Sequence, residues 1–242
     1  MRILVNGANG KMGRAIVEWV QSTPELTLAG EAEYQDDLAA MIRQNQAEVV
    51  IDFTRPEARM INVEKILHAG AAAVVGTTGF TPADLDTITA WVKNTGKGCV
   101  IAPNFIIGNV LMQLFAKKAA EYYEYAEIIE YHHEEKVDYP SGTAVKTAEM
   151  MSSLGKAFNP RLGDKVAKVE GARGGNYNGI RLHAIRMPSY IASQEVILGA
   201  PGERLTIRHD NTDRKAYMPG IHLACRHIVG KAEMIYGLEH LL

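Results

Sequence analysis

Arg2-Ile3-Leu4-Val5-Asn6-Gly7-Ala8-Asn9-Gly10-Lys11-Met12-Gly13 opens the chain and decides the fold. Strand-forming residues run straight into a glycine turn. The pattern then becomes helical from Met12 to Gln21, with Ile16, Val17 and Val20 on one face. Glycine at such a junction allows the tight turn, close backbone approach to a pyrophosphate and close packing of helix on strand. The helix N-terminus then faces the anion. The spacing Gly-x-x-Gly-x-x-Gly is one residue looser than the commonest dinucleotide fingerprint, and a plain glycine-rich turn is the alternative. Context favours a nucleotide. Glu33 stands twenty residues beyond Gly13, at the end of a second strand from about Leu26, placed to accept hydrogen bonds from adenine ribose hydroxyls. Gly7, Ala8, Asn9, Gly10, Lys11, Met12, Gly13 and Glu33 are therefore expected to hold the dinucleotide.

The alternation continues. Val49-Val50-Ile51 is apolar on successive residues, as in a strand buried on both faces. Ala58 to His68 reads as a helix and Ala72 to Gly76 as a short apolar strand. Thr81-Pro82 opens another helix with a capping hydroxyl and a proline in the first turn, and Gly98 to Ala102 is a fifth strand. Strands alternating with helices require right-handed crossovers and a parallel sheet covered on both faces, a Rossmann-like doubly wound α/β domain. Ligands of such sheets gather beyond the carboxyl ends of the strands. Gly76, Thr77 and Thr78 after one strand, and Ala102, Pro103, Asn104 and Phe105 after another, are thus expected to offer backbone contacts to nicotinamide or ribose; mere turns are the alternative. Asp52 and Arg55 read as caps for the helix near Pro56 and stay outside the expected site.

Beyond Asn104 the rhythm changes. A helix from about Gly108 to Tyr123 precedes a strand from Ala126 to His132 and a helix from Thr143 to about Leu154. Gly179 to Met187, Tyr190 to Leu198 and Arg204 to His209 are strand-like with no helix between them, which suits a smaller α+β domain with an open antiparallel or mixed sheet. The strands from Ile180 to His209 would leave an edge or face that subunit pairing can cover. Met218 to Val229 is helical and is expected to return to the first domain. The division expected is residues 1–104 with 216–242 for the dinucleotide, and 105–215 for substrate and oligomer contacts.

Composition narrows the function. The chain has 242 residues, 47% apolar and 22% charged, as a globular protein does. A formal charge of -2 gives no broad hold on nucleic acid or anionic lipid. No apolar run approaches the roughly 20 residues of a membrane helix. A strand pattern from the first residues leaves no room for a leader, so a cytoplasmic protein is expected. Cys99 and Cys225 lie in apolar stretches and read as buried, inert thiols.

Chemistry concentrates in Glu127-Ile128-Ile129-Glu130-Tyr131-His132-His133-Glu134-Glu135-Lys136-Val137-Asp138-Tyr139-Pro140-Ser141-Gly142-Thr143-Ala144. His132 and Lys136 are four apart, so they share a side in either a helix or a strand. Imidazole titrates near neutrality and gives a proton during hydride addition; lysine donates a proton or holds a carboxylate. Ser141, Gly142 and Thr143 follow a proline and precede a helix, so their amides and hydroxyls offer a carboxylate seat. Cations beside a helix N-terminus describe a pocket for a small anion, a dicarboxylate above all; a solvated polar loop is the plain alternative. Two histidines and nearby acids also raise a metal site, but the order His-His-Glu-Glu lacks the i, i+4 histidine pair of zinc-protease helices, and no metal is expected.

This segment resembles the signature of the 4-hydroxy-tetrahydrodipicolinate reductases, also called dihydrodipicolinate reductases, of the diaminopimelate route to lysine. The likeness runs over essentially the whole chain. It takes in the Gly7 loop, Asp52-Phe53-Thr54-Arg55-Pro56-Glu57, Val75-Gly76-Thr77-Thr78-Gly79-Phe80 and Gly171-Ala172-Arg173-Gly174. The resemblance implies His132 as proton donor or acceptor, Lys136 as a second donor, and His133, Gly142 and Thr143 as holders of the substrate carboxylates. It further implies NADH or NADPH as cofactor, hydride delivery to C4 of a cyclic imine with protonation of the adjacent carbon, and a homotetramer formed through the second sheet.

Two positions depart from the pattern: Tyr139 stands where the family usually has a small residue, and Tyr34 replaces a common arginine. The second leads us to expect NADH to serve at least as well as NADPH, although Lys11 and Arg14 could still reach a 2′-phosphate and leave the preference open. Arg173 lies in a glycine-rich loop, Gly171 to Gly179, that reads either as a flexible turn with a solvated arginine or as a lid. A semialdehyde dehydrogenase on the same scaffold would need a reactive thiol, which neither cysteine's position suits. A nicotinamide-sensing protein without turnover would keep the glycine loop but need not keep His132 and Lys136.

Overall fold

The computed structural model describes residues 1–160 and 167–242, in two compact units: Met1–Ile107 with Arg214–Leu242, and Gly108–Asp213. In the first unit β1 (Arg2–Asn6) is buried from Ile3 onward, and α1 (Lys11–Ser22) turns Gly13, Ile16 and Val20 inward. There follow β2 (Thr27–Ala32), α2 (Leu38–Gln44), β3 (Val49–Asp52), α3 (Arg59–His68), β4 (Ala72–Val75), α4 (Pro82–Thr95) and β5 (Cys99–Ile101). These strands lie side by side in the order β5-β4-β3-β1-β2, all parallel. Burial tracks position in the sheet. Every residue of β3 and β4 is buried, whereas β2, at an edge, is largely half-exposed. Burying each of Val49, Val50 and Ile51 contributes about 1.5–3 kcal/mol, so these apolar runs hold the sheet together.

α4 starts as the sequence implies. Thr81 accepts from the Asp84 amide, the Asp84 carboxylate accepts from the Thr81 amide, and Pro82 occupies the first turn. α2 was not expected. It has only seven residues, capped by Asp37, and buries just Leu38 and Ile42, too little for a periodicity to stand out.

The second unit holds α5 (Ile107–Ala120, which begins one residue before it), β6 (Tyr125–His132), α6 (Gly142–Ser152), β7 (Gly175–Tyr177), β8 (Ile180–Arg186), β9 (Ala192–Ala200) and β10 (Glu203–Asn211). The sheet runs β10-β9-β6-β8-β7 and is mixed: β6 and β8 are parallel, and every other pair is antiparallel. β6 alternates cleanly, with Ala126, Ile128 and Glu130 on its buried side. Ala126 and Ile128 join Ala144, Ala148 and Met151 of α6 and Val196 and Leu198 of β9 in one apolar cluster. The chain then rejoins the first unit as α7 (Met218–Ile228) and β11 (Met234–Tyr236), the latter extending the parallel sheet beyond β5.

The sheet order reverses direction at β1, since β2 lies on one side of it and β3 on the other. Such a switch point is where an open α/β sheet binds its ligand, and the glycine turn lies there. Gly7 has φ +80°, and a Cβ on Gly13 would lie 2.0 Å from the Gly7 carbonyl oxygen. Backbone cannot retreat from that contact without moving α1 off β1. Gly13→Ala is expected to lower the melting temperature by at least about 2 °C, from an overpacking cost of about 1–3 kcal/mol. An unchanged calorimetric midpoint would show that helix and strand are not so closely joined.

Candidate active site

The turn after β1 is held from beneath. The Gly7 amide donates to the Ala32 carbonyl (2.8 Å) and the Gly10 amide to the Gly7 carbonyl (3.1 Å). Gly10 caps α1 without a side chain to close its first-turn amides, so those of Lys11, Met12 and Gly13 stay open to an anion. Ala8 is buried under the turn, while Asn9 and Gly10 are exposed. The Asn9 amide donates to Glu33 Oε1 at 2.6 Å, which sets the predicted ribose-binding acid one hydrogen bond from the loop. Tyr34, next to it, is almost fully exposed.

Asp52 differs from the expectation of a helix cap. It is completely buried; Oδ2 accepts from Asn6 Nδ2 (3.1 Å), and Oδ1 accepts from the Thr54 amide (2.9 Å) and hydroxyl (2.6 Å). The residue capping the short 3-10 turn Pro56–Ala58 is Arg55, and its side chain makes no capping bond. Asp52 thus brackets the end of β1 to the turn after β3, and Thr54 touches the space a Gly7 Cβ would need.

At the other strand ends the picture is mixed. Thr78 is exposed; Thr77 is buried, with its hydroxyl donating to the Thr54 carbonyl at 3.3 Å. Gly76 leaves room for the Phe53 ring, which a Cβ would meet at 2.2 Å. Ala102 and Phe105 turn their side chains inward: both are buried, Ala102 donating its amide to the Val75 carbonyl and Phe105 packing its ring against Phe53. Apolar side chains at a strand end go into the core first, so Pro103 and Asn104 carry the surface there. Both thiols, Cys99 and Cys225, are fully buried, and burial pushes each well above its ordinary value.

In the second unit the segment from His132 to Thr143 is built around Glu130, a residue outside the sequence-predicted site. Its carboxylate is 1% exposed. Oε2 accepts from His132 Nδ1 and from Arg186 Nη1 (2.9 Å); Oε1 accepts from Arg186 Nη2 (2.7 Å) and the Ser141 amide (3.2 Å). Burial pushes the carboxyl up, yet the hydrogen bonds from His132 and Arg186 outweigh it and hold the group below its ordinary value. The strand period explains half of this: Glu130 and His132 are two apart on β6 and share a side. Only the pairing of β6 with β8, which puts Arg186 opposite His132, brings the guanidinium in.

The spacing argument for His132 and Lys136 does not survive. A turn closed by the Lys136 amide on the His133 carbonyl (3.2 Å) separates them, so the segment is neither helix nor strand. Lys136 Nζ instead pairs with Asp138 Oδ1 at 2.6 Å, and the lysine holds that carboxyl below its usual range against a smaller effect of burial. His133 is exposed. Ser141 also departs from its expected role in the anion seat. It is buried, its amide is taken by Glu130 and its Oγ accepts from the Ala144 amide, because a helix N-cap must satisfy its own helix first. The next two amides, of Gly142 and Thr143, have no partner among the described residues, and Gly142 opens on unfilled space. Arg173 is not simply solvated either: its Nη2 lies 2.6 Å from Glu127 Oε1, whose other oxygen meets His183 Nε2 at 2.8 Å. Among the described residues no helix is long and apolar enough to cross a membrane, and no cluster of three metal-ligating side chains is present.

Comparison with known proteins bears on both units. Residues 1–105 match the family model described as dihydrodipicolinate reductase, N-terminus, and residues 108–242 match dihydrodipicolinate reductase, C-terminus. The 4-hydroxy-tetrahydrodipicolinate reductase of Coxiella burnetii is 44% identical over 242 residues, covering 100% of this chain and 99% of its own. That of a Nostoc species is 41% identical over 270 residues, covering 99% and 97%. Among solved structures, dipicolinate-bound dihydrodipicolinate reductase from a Paenisporosarcina species superposes with a TM-score of 0.92 at 33% identity, covering 100% of this chain and 99% of that one. A probable dehydrogenase from Thermotoga maritima, at 12% identity and a TM-score of 0.60, shares the fold alone. With full-length relatives, both family models and a solved structure in agreement, the chain belongs to the dihydrodipicolinate reductase family.

Proposed function

We propose that this chain reduces 4-hydroxy-tetrahydrodipicolinate to tetrahydrodipicolinate with NADH or NADPH, in the diaminopimelate route to lysine. The observation that carries this reading is the stretch His132 to Thr143, where a proton donor, a cation and two open helix amides follow one another in one segment of a reductase-family chain. Dipicolinate, bound by a relative, is a planar dicarboxylate of the size such a seat would take.

The first unit fits a dinucleotide. Gly7 and Gly13 leave no space for a Cβ, and open amides and a helix N-terminus face what would be the pyrophosphate. Asn9, Lys11 and Glu33 would hold the nucleotide at this turn; Thr78, Pro103 and Asn104 would meet it at the other strand ends. When bound and reduced, the dinucleotide supplies a hydride.

The second unit binds and protonates. The Gly142 and Thr143 amides and the His133 imidazole hold substrate carboxylates. Lys136 holds positive charge near the ring as negative charge develops on nitrogen and carbon, and His132 gives the proton to the carbon beside C4. The sheet of this unit, with the exposed outer residues of β10, would be covered in a homotetramer. We assign the protein to the cytoplasm, whose reducing conditions suit two free, buried thiols.

Loss of NADH absorbance should follow addition of substrate made in place from pyruvate and aspartate semialdehyde by the preceding synthase. His132→Ala and Lys136→Ala should each lower kcat by about 10²–10⁴. Nucleotide binding without turnover in the unaltered protein would instead indicate a nicotinamide-sensing protein. With both cofactors compared, kcat/KM for NADH should at least equal that for NADPH, because Tyr34 offers no charge to a 2′-phosphate; a large NADPH advantage would overturn this. Light scattering should give four times the chain mass, and a monomer would dispose of the tetramer.

A further inference from the structure

Glu130 is a buried carboxylate whose lone pairs are all committed. It lies on the core side of β6, directly after Ala126 and Ile128 in the alternation, where an apolar residue would be expected. A carboxylate has about four lone-pair positions, and here each oxygen accepts two donors. Oε2 takes His132 Nδ1 and Arg186 Nη1, and Oε1 takes Arg186 Nη2 and the Ser141 amide. His132 Nε2 has no hydrogen-bond partner among the described residues. Resting on the reading of His132 as proton donor, we infer that Glu130 is a positioning residue for the reaction. It keeps Nδ1–H on its carboxylate in both the neutral and the cationic ring, so that Nε2 is the nitrogen that takes up and gives the transferred proton, and it ties this imidazole to the helix N-terminus that seats the substrate.

The charged groups around the ring come from three elements. Glu130, on β6, bonds Nδ1 directly. Arg186, from β8, shares the same carboxylate. Lys136 and Asp138, on the loop after β6, offset one another at 2.6 Å, and Arg186 Nη2 also donates to the Asp138 carbonyl at 2.8 Å. Opposite His132 on β9 stands Ala192, uncharged, and the first turn of α6 carries no acid.

Glu130→Gln is a sharp test because all four neighbours are donors. A carboxamide NH₂ must face either Arg186 Nη2 with the Ser141 amide, or His132 with Arg186 Nη1. Only imidazole can switch from donor to acceptor, so the amide turns towards His132 and forces the Nε2–H tautomer, without an anion beside it. Ring-nitrogen NMR across a pH titration should show neutral His132 as Nδ1–H in the unaltered protein. Glu130→Gln should show Nε2–H with a lower titration midpoint, kcat at least about 10-fold lower, the basic limb of its pH profile moved to lower pH, and unchanged NADH affinity. An Nε2–H tautomer in the unaltered protein would overturn the inference by itself, whether or not the variant folds. So would a variant with unaltered tautomer and pH profile. A His132→Gln protein that keeps its turnover would sink the donor reading instead, and the spectra would still report whether Glu130 sets the tautomer.

Discussion

A carboxylate at 1% exposure pays for its place only if its lone pairs are filled. That requirement organises the second unit. Glu130 draws one donor from its own strand, two from the parallel neighbour β8 and one from the start of α6. Removing a partner from such a buried pair generally costs about 3–5 kcal/mol, so the three elements are held to one geometry. The same bonds that keep the charge buried fix the imidazole and the first turn of the helix. Under the role proposed for His132, stability and chemistry make the same demand on Glu130, and the ring is placed by core packing rather than by a loop.

The first unit solves a different problem, that of bringing bare backbone to an anion. Gly13 lets α1 close on the turn after β1, and Asp52, buried without a cation, spends its lone pairs on Asn6 and Thr54 to hold the adjoining turn. What this surface offers first is a set of amides at the switch point of the sheet, with the Glu33 carboxylate beside them.

Much of this was legible in one dimension, for reasons that can be named. Parallel strands buried on both faces leave continuous apolar runs, and β1, β3, β4 and β5 each do. Long helices repeat their apolar face often enough to be seen, as α1 and α4 do, and Thr81-Pro82 announces a start. α2, β7 and β11 escaped because three to seven residues bury too few side chains to set a period. Lys136 was read against His132 by spacing alone, which fails once a turn intervenes. Ser141 and Asp52 were misread for one shared reason: a polar side chain near a helix start serves whichever backbone donors the fold sets beside it. The burial of the Ala102 and Phe105 side chains was not legible either, because lying at a strand end does not say which side chains the core takes.

By itself, the sequence determined the alternating α/β half, the glycine turn at its first strand, and the histidine, lysine and helix-start residues proposed as proton donors and anion seat, since each is written in neighbours along the chain. Only the tertiary structure decided that Glu130 rather than Lys136 meets His132, that Arg186 shares that carboxylate across 56 positions, and that Asp52 is a bracket between strands. The physical reason is one of range. Periodicity, turn chemistry and capping act between residues a few positions apart, whereas filling the lone pairs of a buried carboxylate depends on which strands lie side by side.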